Sequence, residues 1–350
     1  MKAIKSILIF LAVFTVSFIV LELYLQTAEI QTPMETQIDA EIGPTFIPSK
    51  KVTRFNEGFY VGGTNEYGYL GPARPHRKTG DEKRILLLGD SYVMGMTLFN
   101  RHHFARYVER GLHESTGHDV QTLNFGKSDF NFSNMYQYYK DFASQFDFDL
   151  ALFFVDQTDL IPSKQFDKDL YPTCYMDNNI VKVDYSFRNS QKFKAFNRMK
   201  LITANSAFFR LIYNARKMIA RRELGEVVLD KLATLLPEKP KNRTRKPATK
   251  IPDWTYPILC ELAKDSRSVL VTIVDMNPEI REIIQASGIK TIDIVSALNQ
   301  LREVDIDPCY WPISGKRGHW NQQAHEAIGN LLANELIYDF IDEPMPIPKS

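Results

Sequence analysis

Cysteine is scarce in this chain: 350 residues hold three, Cys174, Cys260 and Cys309. Three thiols allow one disulfide at most and leave one over. Cys174 and Cys309 lie in Pro-containing, loop-like stretches and form the candidate pair; all three unpaired is the equal alternative. No Cys/His spacing suits zinc, so no metal site is expected, and no cofactor. Charge of one sign is lacking too. The 43 Lys and Arg almost cancel the 42 Asp and Glu, and a net charge of +1 gives no global pull toward nucleic acid. No nucleic-acid partner is expected.

A good signal-peptidase site is also missing. Lys2 and Lys5 precede an uncharged run over 6–21, and apolar residues continue past Glu22 to Leu25. About 20 apolar residues span a bilayer core. The stretch Gln26-Thr27-Ala28 is a poor small-x-small cleavage signal. Residues 1–28 therefore read as an N-terminal transmembrane anchor or signal segment. The basic flank comes before the run, and Glu22, Glu29, Glu35, Asp39 and Glu41 come in or after it, which puts the body on the periplasmic or extracellular side.

Residues 29–60 read as a stem, with Pro33, Pro44 and Pro48 and no clear period. A turn-rich entry follows at 65–72. Short apolar runs at 85–88, 120–125, 150–155, 268–274 and 291–294 read as strands, and helical patterns fall at about 103–115, 132–143, 278–286 and 322–340. Such alternation means a parallel sheet with right-handed crossovers. The gap between the third and fourth strands is too long for a loop and implies a helical insertion at about 161–252. From 188 to 250 there are 17 Lys and Arg against 4 Asp and Glu. That excess reads either as a solvated face or as a surface for an acidic glycan or anionic lipid headgroups. The Pro- and Lys-rich stretch 237–252 reads as a mobile loop. His102 and His103 read as exposed polar residues ahead of the first helix after the GDS turn.

The chemistry centres on Gly89-Asp90-Ser91. A buried strand ending in a tight turn lifts a serine hydroxyl above the carboxyl edge of a sheet, where open α/β folds place their sites. N–H groups at the following helix start face the same space and can hold a developing anion. Near the other end, Gly318-His319-Trp320-Asn321 opens the last helical pattern. Together these read as a serine nucleophile, Ser91, and a histidine base, His319. Taken alone, the GDS turn is no more than a strand-to-helix connector with an Asp/Ser cap.

The strand–GDS turn and the late histidine resemble the SGNH, or GDSL-type, hydrolases, over most of residues 60–340. The resemblance implies an α/β three-layer sandwich with a five-stranded parallel sheet, flavodoxin-like, over residues 61–345 plus the helical insertion. It implies an oxyanion hole from the N–H of Ser91 and of the turn holding Gly126 and Asp129, where the family's usual glycine aligns with Asp129. It puts Thr158 where the family has an asparagine donor. It puts Lys316 and Arg317 where the family has an aspartate; Asp305, Asp307 or a backbone carbonyl are the remaining candidates to orient His319. The implied function is an exported, membrane-anchored ester hydrolase or O-acyltransferase. Its substrate would be an acylated cell-envelope glycan or lipid, since the His-Trp-Asn run is similar to proteins that acetylate bacterial exopolysaccharides. The alternative is a catalytically decayed binding or scaffold module for a polysaccharide or a membrane partner.

Overall fold

The computed structural model describes residues 2–28, 35–55, 57–162, 168–178, 180–220 and 250–340. The chain divides into two compact units, Met1–Met34 with Gln191–Lys246, and Glu35–Ser190 with Pro247–Ser350. Helices are numbered α1 (Lys2–Thr27), α2 (Ser91–Met94), α3 (Phe104–Thr116), α4 (Phe132–Asp141), α5 (Gln157–Leu160), α6 (Gln191–Asn205), α7 (Ala207–Ala220), α8 (Thr255–Ala263), α9 (Pro278–Ser287), α10 (Val295–Glu303) and α11 (Gln322–Leu336).

The larger unit is built on β1 (Lys83–Leu88), β2 (Val120–Asn124), β3 (Leu150–Val155), β4 (Ser268–Thr272) and β5 (Lys290–Asp293). They pair in parallel in the spatial order β5-β4-β3-β1-β2. Read from the other edge this is the 2-1-3-4-5 order of flavodoxin-like doubly wound sheets. Successive side chains point to opposite faces. Leu86, Leu88, Leu123 and Phe153 meet α4, α8 and α9 on one face, while Ile85, Leu87, Leu152 and Phe154 meet α3, α10 and α11 on the other. A sheet covered on both sides needs strands that are apolar throughout, which is why β1 and β3 stand out in the sequence as unbroken runs. Each buried Leu, Phe or Ile contributes roughly 1.5–3 kcal/mol. The fold is thus the expected α/β three-layer sandwich.

Three features depart from the sequence reading. Residues 36–39 pair with 43–46, and 51–54 with 60–63, as antiparallel hairpins. Phe46, Val52 and Tyr60 pack with Leu70, Met94 and Met96, so this segment is part of the α/β unit. Four-residue strands are too short for a period to be read from sequence. Part of the expected insertion, the hairpin 173–177/180–184, likewise lies in the larger unit, and α10 went unread. The stretch 237–249 and the notable basic residues Arg243, Arg245 and Lys246 lie outside the described residues.

All three cysteines are unpaired. Cys174 packs against one face of the sheet and Cys309 against the other, so the candidate bridge does not form.

His103 is buried, not exposed. Its Nδ1 accepts the N–H of Ala105 at 3.2 Å as the N-cap of α3, which leaves Nε2–H to meet the Val93 carbonyl at 2.9 Å. His325, also buried, accepts the Phe104 N–H at 3.2 Å. Both rings must be neutral to accept. Burial lowers His103 to about 3 and pushes His325 well below the usual imidazole value. A base depressed on folding stabilises the fold above its unfolded value, and that contribution is lost as pH falls toward the folded value. Stability should therefore drop between pH 6.5 and about 3. His103→Asn keeps a capping oxygen and should remove about 1.4 kcal/mol per pH unit from that slope, measured by urea unfolding across the range. An unchanged slope would refute the neutral cap.

Candidate active site

β1 delivers Ser91 to the carboxyl edge of the sheet, where the order reverses between β1 and β3. Asp90 caps α2 by accepting the Tyr92 N–H at 2.8 Å. His319 stands two residues ahead of Asn321, whose side chain caps α11 and also donates to the carbonyls of Asp307 and Tyr310. Ser91 Oγ lies 2.8 Å from His319 Nε2, across 228 residues of sequence.

The partner of the other ring nitrogen is Glu57. Its two carboxylate oxygens lie 3.0 Å from Nδ1, and one of them also accepts the His319 backbone N–H at 2.7 Å. A carboxylate only accepts, so Nδ1 carries the proton and Nε2 turns its lone pair to Ser91. Trp311 Nε1 holds the His319 carbonyl at 2.9 Å, and the Tyr92 ring packs on the imidazole at 5.0 Å. Glu57 sits at the tip of the 51–54/60–63 hairpin. Two glycines make room for it. A Cβ on Gly318 would come 2.3 Å from the Glu57 carboxyl carbon, and one on Gly58 would come 2.2 Å from the Trp311 ring.

Neither Asp305 nor Asp307 takes that place. Asp307 accepts the Cys309 N–H at 3.0 Å and pairs with Arg317 at 2.8 Å, while Asp305 is exposed. Lys316 and Arg317 are exposed as well, and it is Glu57, not an aspartate at those positions, that meets the imidazole. Sequence reasoning missed Glu57. Its one signal was a carboxylate beside a glycine, in a segment too irregular to be read as structure.

The candidate oxyanion-hole residues are placed as follows. Asp129 has φ +64°, the left-handed backbone that glycine favours. The Gly126 N–H is already taken by Asn124 Oδ1 at 2.9 Å. The Thr158 hydroxyl is 2.8 Å from Asp156 Oδ1 and donates to it, part of the cap of α5. Around the serine stand carboxylates. Burial first, then Asp156 and Asp129, raise Asp90 to about 6. Burial and the charges of Asp156 and Asp90 also push Asp159 well above the carboxylate range. Lys127, in the same turn as Gly126, is buried, with its ammonium nitrogen 4.0 Å from the centre of the Phe46 ring and 4.5 Å from that of Tyr138. Burial drives it well below the lysine range.

No family model matches the sequence, and no curated protein matches it. Among solved structures, the chain is similar to one described as a lipolytic protein of the G-D-S-L family from Desulfitobacterium hafniense DCB-2. Identity is 10%, with 72% of this chain and 99% of that chain covered and a TM-score of 0.32. It is also similar to the lipase Lip_vut3 from a goat rumen metagenome, at 14% identity over 72% of this chain and 96% of that one, TM-score 0.32. The sheet order is that of a flavodoxin-like doubly wound fold, with Ser91 at the end of β1 and His319 just before α11.

Asp90 gives a signed test. Its folded value, about 6, exceeds the ordinary 3.8, so the stability it contributes when protonated is present below 3.8 and lost as pH rises through 6. Asp90→Asn should raise the melting temperature at pH 8 and leave it nearly unchanged at pH 3.5. Because Asp90 is only partly buried, solvent screening limits the gain to on the order of 1–2 kcal/mol. A variant less stable at pH 8 would show that the capping bond outweighs the buried charge.

Proposed function

We propose that this chain is a membrane-anchored serine ester hydrolase or O-acyltransferase, with its body outside the cytoplasm, acting on an acylated cell-envelope glycan or lipid. The hydrogen-bonded series Glu57–His319–Ser91 is the observation that supports this reading. Ser91 Oγ attacks the acyl carbonyl as His319 Nε2 takes its proton, and Glu57 stabilises the imidazolium that forms. The N–H groups of Ser91 and Asp129 hold the oxyanion. His319 then protonates the departing alcohol, leaving an acyl-serine. Water or an acceptor hydroxyl attacks next, with His319 again as base, to release an acid or a new ester.

A second reading has its own support. The engaged Gly126 N–H, the engaged Thr158 hydroxyl and the carboxylates of Asp90, Asp129 and Asp156 oppose a developing negative charge. They favour a decayed site that binds polysaccharide or a membrane partner. A serine-directed phosphonate separates the two: labelling at Ser91 supports the enzyme, and none supports the binding module.

The full chain in detergent should cleave aryl acetates or transfer acetyl to a glycan. Ser91→Ala and His319→Ala should lose comparable activity, because the pair acts as a unit. Glu57→Gln should lower kcat by up to about 10⁴-fold, the loss expected when the imidazole is held in the wrong tautomer. Thr158→Ala should cost well under the roughly 3–4 kcal/mol of a full oxyanion donor. Activity that survives Ser91→Ala would sink the mechanism.

The anchor is tested separately. Among the described residues one helix, Ile4–Thr27, is long and apolar enough to cross a membrane, with mean hydropathy 2.6. The mature protein should keep residues 1–25 and fractionate with membranes. An N-terminus found near Glu29 would mean cleavage instead.

A further inference from the structure

In the smaller unit, α1, α6 and α7 pack together, and Glu22 is the residue that joins them. It is the only charge in the apolar run, and it does not point to water alone. Its carboxylate accepts the N–H of Ala207 at 2.6 Å, the N–H of Phe208 at 3.0 Å and the Ser206 hydroxyl at 2.8 Å. Gln26 donates to the same group at 2.7 Å. Ser206 Oγ in turn accepts the Phe209 N–H at 3.2 Å. The first three N–H groups of α7 are thus all satisfied by protein. In water a helix start does not need this; away from water each unpaired group costs several kcal/mol. Nearly five turns beyond Lys5, Glu22 is roughly 26 Å along the helix axis, near the far boundary of an apolar layer about 30 Å thick.

The hairpin that this carboxylate holds is itself unusual for a helix pair in water. Met199, Leu201, Ile202, Phe209 and Ile212 are exposed, Leu201 at 70%. Phe208 meets Phe18 of α1 edge-on at 5.4 Å, so the apolar surface of the hairpin is continuous with that of α1. An apolar cleft of about 210 Å³ lined by Phe196, Met199, Thr203 and Tyr213 lies along the helices. Lys192, Lys194, Arg198 and Arg216 are exposed on the same two helices. Apolar side chains beside a basic surface, joined to a bilayer-length helix, form the pattern of an element lying in the plane of a membrane interface.

We propose that α6 and α7 are seated in the outer face of the bilayer, at the level of anionic headgroups and the upper acyl chains, and that Glu22 pins them there. The anchor is then three helices rather than one. This rests on α1 crossing the bilayer, and the test reads that separately.

The full-length protein would be reconstituted into vesicles of phosphatidylcholine, with or without phosphatidylglycerol, that contain a lipid carrying a diazirine high on its acyl chain. Illumination and peptide mapping then locate the adducts. Adducts on α1 report the anchor itself. The proposal expects adducts also between Met199 and Ile212, severalfold more in the anionic vesicles. Glu22→Ala should reduce the hairpin adducts severalfold and leave those on α1 unchanged. Glu22→Gln, which keeps an acceptor oxygen, should retain most of them. Adducts confined to α1 overturn the proposal. Equal labelling in the two vesicle types overturns the role of anionic lipid. An acidic polysaccharide that binds the hairpin while lipid adducts are absent would put a glycan in place of the membrane.

Discussion

The bond between Glu57 and His319 is the constraint on which the rest of the site depends. One carboxylate grips the histidine twice, at the ring and at the backbone N–H. The ring grip sets which nitrogen bears the proton. The backbone grip sets where the ring can be. Gly318 has no side chain because the carboxylate occupies that space, and Gly58 has none because Trp311 does. Trp311 then closes the circle by holding the His319 carbonyl. A change at any of these positions reaches Ser91 through His319, though none but His319 touches it.

A second regularity concerns charge. The buried bases near α2 and its neighbouring turn, His103, His325 and Lys127, are pushed toward their neutral forms by burial, while the carboxylates Asp90 and Asp159 are pushed toward theirs. Both sets lose charge for the same reason, since low-dielectric surroundings disfavour whichever form is ionised.

The sheet was legible because strands buried on both faces must be apolar at every position, and 150–155 could be little else. Ser91 and His319 were legible because each stands at the junction of two periodic segments. Glu57 was not, because the hairpin that carries it has strands of four residues with mixed burial. The positions just before His319 hold Lys316 and Arg317, and the nearest upstream carboxylates are Asp307 and Asp305, whereas the constraint on the acid is spatial. Asp129 shows the reverse case. Its side chain gives no sign of the left-handed backbone that a glycine there would have signalled. Likewise Thr158 looked like a spare donor until its hydroxyl was found bound to Asp156. A body cut free at residue 61 would hold the serine and the histidine without the carboxylate.

The order in which the three residues occur along the chain has a consequence for biosynthesis. Glu57 is made first, Ser91 soon after, and His319 only when 262 further residues have followed Glu57. Chains emerge from the ribosome N-terminus first. A nascent chain therefore carries Ser91 without His319 while the 228 residues between them are made. The bond between Ser91 and His319 can form only once the segment leading into α11 has been made, so the strands and helices between them can pack before the site closes.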